Sequence, residues 1–163
     1  MSNTSLFVII HHDSRIIMAD EVCELPGFLP PDKKIREILE RYHTVVVVGL
    51  SKHAEKPSHF VPRYLQGHGY KIIPVNPTTQ EPLLEEQVYA TLSEVPQEVE
   101  VVNIFRPAED VPGIVNEAIS IGVKVIWMQE GIVHNQAATQ AMDAGITVVM
   151  NRCMMKEHQR LKG

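Results

Sequence analysis

The chain has 163 residues, 44% of them hydrophobic, enough for one domain with one sizeable core. Its formal net charge of −5 argues against nucleic acid, whose phosphates need a basic face. The two cysteines, Cys23 and Cys153, lie far apart without CxxC or zinc spacing, and the eight histidines are scattered, so neither a disulfide framework nor a metal knuckle is indicated.

The N-terminal apolar run Leu6 to Ile10 is too short to span a membrane, and no Ala-x-Ala-like cleavage site follows it. The expected setting is reducing and cytoplasmic. Residues 1–22 show no firm periodicity and are expected as an N-terminal extension, irregular in part; residues 23–163 are expected to form the domain. A helix over Asp32 to Arg41 follows Pro30-Pro31. Thr44 to Val48 is an unbroken β-branched run ending at Gly49, the pattern of a parallel strand buried on both faces. Four more strands are expected over Tyr70–Val75, Val99–Phe105, Val123–Met128 and Ile146–Met150. Helices are expected over Ser58–His68, Ala108–Ile121 and His134–Ala144, followed by Gly69, Gly122 and Gly145, where a left-handed cap favours glycine. The polar stretch Pro77 to Pro96 reads as a surface excursion anchored by Leu84 and Val88, with a short helical turn at Thr91–Glu94. Repeated βα units imply right-handed crossovers, hence a doubly wound sheet of about five parallel strands with helices on both faces.

In such a sheet ligands bind outside the carboxyl ends of the strands. The first strand is followed by Gly49-Leu50-Ser51-Lys52 and then Lys56-Pro57-Ser58, where Ser58 is the expected N-cap of a helix whose free N–H groups suit a pyrophosphate. The dinucleotide fingerprint G-x-G-x-x-G is absent. Where nicotinamide-binding folds place a carboxylate for the ribose hydroxyls, the second strand ends in Asn76-Pro77. Asparagine does not repel a phosphorylated ribose, and Lys52, Lys56 and Arg106 add positive charge nearby. That leaves coenzyme A or a 2′-phosphorylated nicotinamide cofactor. Phe105-Arg106-Pro107 after the third strand offers a guanidinium for phosphate, or for Glu109 or Asp110. After the fourth strand, Gln129-Glu130-Gly131-Ile132 allows close backbone approach at Gly131, while Trp127 reads as core.

Taken together and in order, Gly49-Leu-Ser51, Lys56-Pro-Ser58, Tyr70…Pro74-Val-Asn-Pro77, Phe105-Arg106, Trp127…Gln129…Gly131-Ile132 and Asn151-Arg-Cys153 resemble the stand-alone CoA-binding proteins. Their single domain is similar to the CoA-binding domain of the succinyl-CoA synthetase alpha subunit. The resemblance spans roughly Cys23 to Leu161. It implies a Rossmann-like fold, with coenzyme A or an acyl-CoA held at the strand ends by Gly49, Leu50, Ser51, Lys52, Lys56, Pro57, Ser58, Asn76, Pro77, Phe105, Arg106, Gln129 and Gly131. Two departures stand out. None of the histidines has the context of the synthetase's phosphate-carrying histidine, which belongs to a second domain, and Asn151 replaces the Asp expected before Arg-Cys. The expected role is a carrier, sensor or accessory module, working with a partner enzyme subunit or as a homo-oligomer, without a catalytic apparatus of its own. The alternatives are a small NADP-dependent oxidoreductase, disfavoured by the absence of a Tyr-x-x-x-Lys pair placed for proton transfer, and an acyl-CoA ligase or thioesterase. For the latter, Ser51 and Cys153 are the candidate nucleophiles, without an evident base. A structural interaction protein with a vestigial pocket is the remaining class.

Overall fold

Five β-branched segments set the architecture. In the computed structural model, which describes residues 15–18 and 21–162, they form one parallel sheet. Its strands are β3 (Thr44–Val48), β4 (Lys71–Val75), β5 (Val101–Ile104), β6 (Val125–Met128) and β7 (Thr147–Val149), in the order β4-β3-β5-β6-β7. Ahead of them, β1 (Arg15–Met18) and β2 (Glu21–Glu24) pair antiparallel, so the segment expected to be partly irregular holds a two-stranded ribbon. The run Leu6 to Ile10 and the pair His11–His12 lie outside the described residues.

Alternate residues of each strand face opposite layers. Val45, Val47, Val101, Val125 and Trp127 pack under α1 (Asp32–Arg41), α2 (Pro57–Gly67) and α5 (Met154–Lys162). Val46, Val48, Val102, Ile104 and Ile126 pack under α3 (Val111–Ile121) and α4 (Asn135–Asp143). The continuous apolar runs are thereby explained, because the strands of this sheet are buried on both faces. Trp127 is fully buried as expected, its Nε1 donating to the Arg152 carbonyl at 2.7 Å. Among the described residues no helix is long and apolar enough to cross a membrane.

Three details depart from the sequence expectation. Ala108–Asp110 is a separate 3-10 turn ahead of α3, which begins only at Val111 with Pro112 in its first turn. Ser58 is not a cap: Pro57 occupies the first turn of α2, a position suited to its fixed φ, and this makes Lys56 the N-cap residue. Finally, α5 escaped the reading because its buried positions include Glu157 and His158 beside Met154 and Leu161. Glu157 is tolerated there because Arg160 donates to it at 2.6 Å and Arg152 at 3.3 Å. Arg160 also grips Asp32 through two 2.7 Å bonds, clasping α5 to the start of α1 and holding the Asp32 carboxyl below its usual range.

The excursion between β4 and β5 makes a tight reversal at Leu84 (φ 54°) and Glu85 (φ 65°), with Leu83 and Glu86 exchanging both backbone hydrogen bonds at 3.0 Å. Two left-handed residues between paired partners make a type I′ turn, which ordinarily takes Asn-Gly. Burial of Leu83 and a hydrogen bond from Gln66 to the Leu84 carbonyl hold it in place. A left-handed residue with a Cβ costs roughly 1–2 kcal/mol. The exposed Glu85 is the simpler of the two to relieve, and Glu85→Gly is expected to raise unfolding free energy by about 0.5–1 kcal/mol after glycine's own entropy cost. Urea denaturation measures it, and an unchanged midpoint would show that the turn is unstrained.

Where α5 meets α2, Tyr64 Oη and His158 Nδ1 lie 2.9 Å apart, and the rings of His68 and Tyr70 pack against His158 at 5.2 and 5.7 Å. Burial first, then the charges of His68 and Lys162, hold the His158 imidazole below its ordinary value. The folded state therefore binds fewer protons than the unfolded one, so this contribution is complete above about pH 6.5 and is lost as pH falls below it. The melting temperature should drop more between pH 7.5 and 5 in the native chain than in His158→Gln; equal drops would remove His158 from the account.

Candidate functional site

The strand order reverses between β3 and β5, because the chain runs from β3 out to β4 and then returns to the other side of β3. The loops leaving β3 and β5 therefore diverge around a crevice at the carboxyl edge, the place where open α/β sheets bind ligands. Their departure is tied down by Gly49 N donating to the Val75 carbonyl and Phe105 N donating to the Val48 carbonyl, both at 2.9 Å. Gly49 has φ +90°, and a Cβ there would lie 2.9 Å from both the Phe105 carbonyl oxygen and Arg106 Cδ. Any other residue would force the two loops apart.

The loop from Ser51 to Ser58 is pinned at its neck by an unexpected device. Pro62 sits inside α2 and has no N–H, so the Ser58 carbonyl lacks its helical donor. Ser51 N donates to that carbonyl instead, at 3.2 Å. The His59 ring reinforces the neck, its Nδ1 lying 2.7 Å from the Ser51 carbonyl oxygen. At the N-terminus of α2 the Lys56 side chain makes no cap, and the Ser58 N–H has no partner among the described residues.

On the opposite wall, Asn76 bridges the loops after β4 and β3. Its Nδ2 donates to the Leu50 carbonyl at 3.1 Å, and its Oδ1 accepts from Thr78 N and Thr78 Oγ1 at 2.9 and 2.7 Å. An aspartate would supply the acceptor but not the donor, so the amide has a structural reason of its own to stand where a carboxylate was considered. Asn151 adopts φ 55°, a conformation asparagine tolerates, and its Oδ1 accepts from Gly131 N at 2.8 Å. The departure from Asp at that position is thus accommodated by a side chain used as an acceptor, which either residue supplies.

These loops enclose a polar cleft of about 660 Å³. It brings together nine of the residues singled out in the sequence: Gly49, Leu50, Ser51, Lys52, Lys56, Ser58, Asn76, Phe105 and Arg106. Lys52 and Lys56 have no carboxylate within ion-pair distance among the described residues. Arg106 does: its Nε and Nη2 donate to Asp110 Oδ2 at 3.0 and 2.7 Å, the ion pair weighed as its alternative role. Sequence reasoning missed His53 and the run Thr78 to Glu81, which close the rim.

A second groove, about 490 Å³ and mainly apolar, shares Lys56, Ser58 and Phe105 with the cleft. Pro57 and Gln129 line this groove together with Phe60, Ile132, Cys153 and Met155. Pro77 borders a third cavity, of about 310 Å³, beneath the β4 end. Gly131 lines none of the three, and its part is the turn held by Asn151. Lys156 and Glu130 form a 2.6 Å ion pair at the groove, which holds the lysine above its usual range.

The chain is 38% identical over 129 residues to the uncharacterized protein YneT of Bacillus subtilis (strain 168), covering 79% of this chain and 95% of that one. A solved hypothetical protein from Pyrococcus horikoshii OT3 superposes with a TM-score of 0.81 at 39% identity, covering 85% of this chain and 97% of that one. Half of the chain also matches, at 34% identity, 12% of acetate–CoA ligase (ADP-forming) II of Archaeoglobus fulgidus. Residues 43–159 match the family model described as CoA binding domain, and the chain belongs to that family.

Proposed function

We propose that this protein binds coenzyme A or an acyl-CoA across the cleft and groove at the carboxyl edge of its sheet, as a cytoplasmic carrier, sensor or accessory module rather than as an enzyme. The observation that carries the reading is the two-part site. A polar cleft with Lys52, Lys56 and Arg106 runs into an apolar groove along shared walls. Coenzyme A has the matching division, with phosphates and a phosphorylated ribose at one end and a long aliphatic arm at the other. The free Ser58 N–H at the start of α2 suits an anionic oxygen, since helix N-termini carry partial positive charge. Family membership supports the ligand class. The match to part of an acetate–CoA ligase supports a module that serves acyl-CoA chemistry beside a partner subunit or a second copy.

Isothermal titration with CoA, NAD and NADP tests the reading. CoA is expected to bind tightest, and equal or tighter binding of either nicotinamide cofactor overturns it. Arg106→Ala is expected to weaken CoA about tenfold, because hydrogen bonds from charged groups contribute about 1.5–3 kcal/mol. An unchanged dissociation constant would leave Arg106 to Asp110 alone.

Asn76→Asp places a carboxylate oxygen opposite the Leu50 carbonyl, now 3.1 Å from the amide nitrogen. The expected outcome is a loss of about 1–3 kcal/mol in stability, as for an unsatisfied buried group. Because the loop itself moves, affinity for CoA and for dephospho-CoA should fall together. A loss confined to CoA, at unchanged melting temperature, would instead place Asn76 directly against the ribose phosphate.

A further inference from the structure

The mainly apolar groove beside α5 has polar residues at its exposed rim and one polar side chain buried in its wall. Gln129 is a carboxamide only 3% exposed, among Phe60, Ile132 and Met155. Its orientation follows from the residues behind it. Asn103 is fully buried in the middle of β5, with its carboxamide between Met154 Sδ at 3.8 Å and the Gln129 carboxamide at 2.7 Å. A thioether sulfur has no proton to donate, so Asn103 turns its NH₂ toward the sulfur and its Oδ1 toward Gln129. Gln129 must then offer Nε2 to Asn103, which leaves Oε1 as the end of the carboxamide that nothing behind it holds. Among the described residues Gln129 Oε1 has no hydrogen-bond partner. Oε1 is not sealed in, since Arg152 Nε is the buried side-chain polar atom left without a partner among the described residues; it is open to the groove that Gln129 lines, an acceptor held in a fixed orientation and free to be used.

We propose that Gln129 Oε1 is the acceptor for an amide N–H of the ligand's aliphatic arm, and so positions that arm along the groove. This rests on the coenzyme A reading. The pantetheine arm carries two secondary amides between methylene segments; the methylenes suit Phe60, Ile132 and Met155, and an amide N–H taken out of water there needs an acceptor. The same orientation discriminates between ligands, because a carbonyl oxygen at this point meets another acceptor and is repelled. The relay Met154–Asn103–Gln129 thus fixes, from inside the sheet, which end of an amide the groove accepts.

The test compares CoA with adenosine 3′,5′-bisphosphate, which lacks the arm, on the native chain and on Gln129→Met, a substitution of similar shape. CoA is expected to bind the variant about tenfold more weakly, the equivalent of one hydrogen bond, with the bisphosphate unaffected. Equal losses for both ligands would make Gln129 structural only and overturn the inference. Equal affinities of the native chain for both would show that the arm contributes nothing, overturning the inference while the nucleotide site stands. Binding of neither ligand would overturn the coenzyme A reading itself. Should the variant not fold, a CoA analogue with ester oxygens in place of the two amide N–H groups decides on the native chain: about a tenfold loss is expected, and an unchanged affinity refutes the role.

Discussion

The whole carboxyl edge depends on the absence of a side chain at Gly49. The loops leaving β3 and β5 must diverge to open a crevice, yet their first residues must touch so that the cations they carry face one space. The 2.9 Å separation from a notional Cβ to the Phe105 carbonyl allows this only for glycine. Once that contact is made, the remaining geometry follows from backbone pairing. Val48, Val75 and Ile104 end their strands in register, and Gly49 and Phe105 continue the ladder for one more bond each. Lys52 and Lys56 on one side and Arg106 on the other then border the same cleft.

The second layer of support comes from α5, whose first turn lines the apolar groove through Met155 and Lys156. Its attachment is largely polar. The two bonds from Arg160 to Asp32 and the one from Arg36 Nη1 to the Leu161 carbonyl hold it against α1. Each of these bonds is partly exposed and individually weak, so the helix is secured by their number and by the burial of Met154 and Leu161. Behind it, Arg152 leaves its buried Nε without a partner, an expense in an otherwise satisfied interior.

How much of this was legible in the sequence varied with the kind of signal. The strands announced themselves because a β-branched run buried on both faces needs no phase to be recognised; Thr44–Val48 came out with its ends intact. Ends fixed by pairing rather than by composition did not, which is why Val99–Phe105 shrank to Val101–Ile104. The helix α5 was illegible because buried Glu157 and His158 break the apolar stripe, and only their partners, Arg152 and Arg160 for Glu157 and Tyr64 on α2 for His158, make them tolerable there. In the site, Gly49, Lys56 and Arg106 could be read from position alone. The internal duties of Asn76 and Asn151 could not, since both depend on carbonyl or amide groups at least 20 residues away in sequence. Asn103 was hidden in a run that reads as pure core.

Pro62 deserves its place in that architecture for a reason that concerns entropy. By denying the Ser58 carbonyl its helical donor, it turns the end of α2 into a post to which Ser51 is moored. The segment between the two serines, which carries Lys52 and Lys56, is therefore a short closed loop with a fixed neck, itself braced by His53 N donating to Ser51 Oγ and Lys56 N donating to the His53 carbonyl, both at 3.1 Å. For the proposed anion binding little chain is left to order, because the expense of immobilising chain on association scales with what was free beforehand. A proline at the sixth position of a helix thus acts, through one diverted hydrogen bond, on how cheaply a neighbouring loop can close its hand.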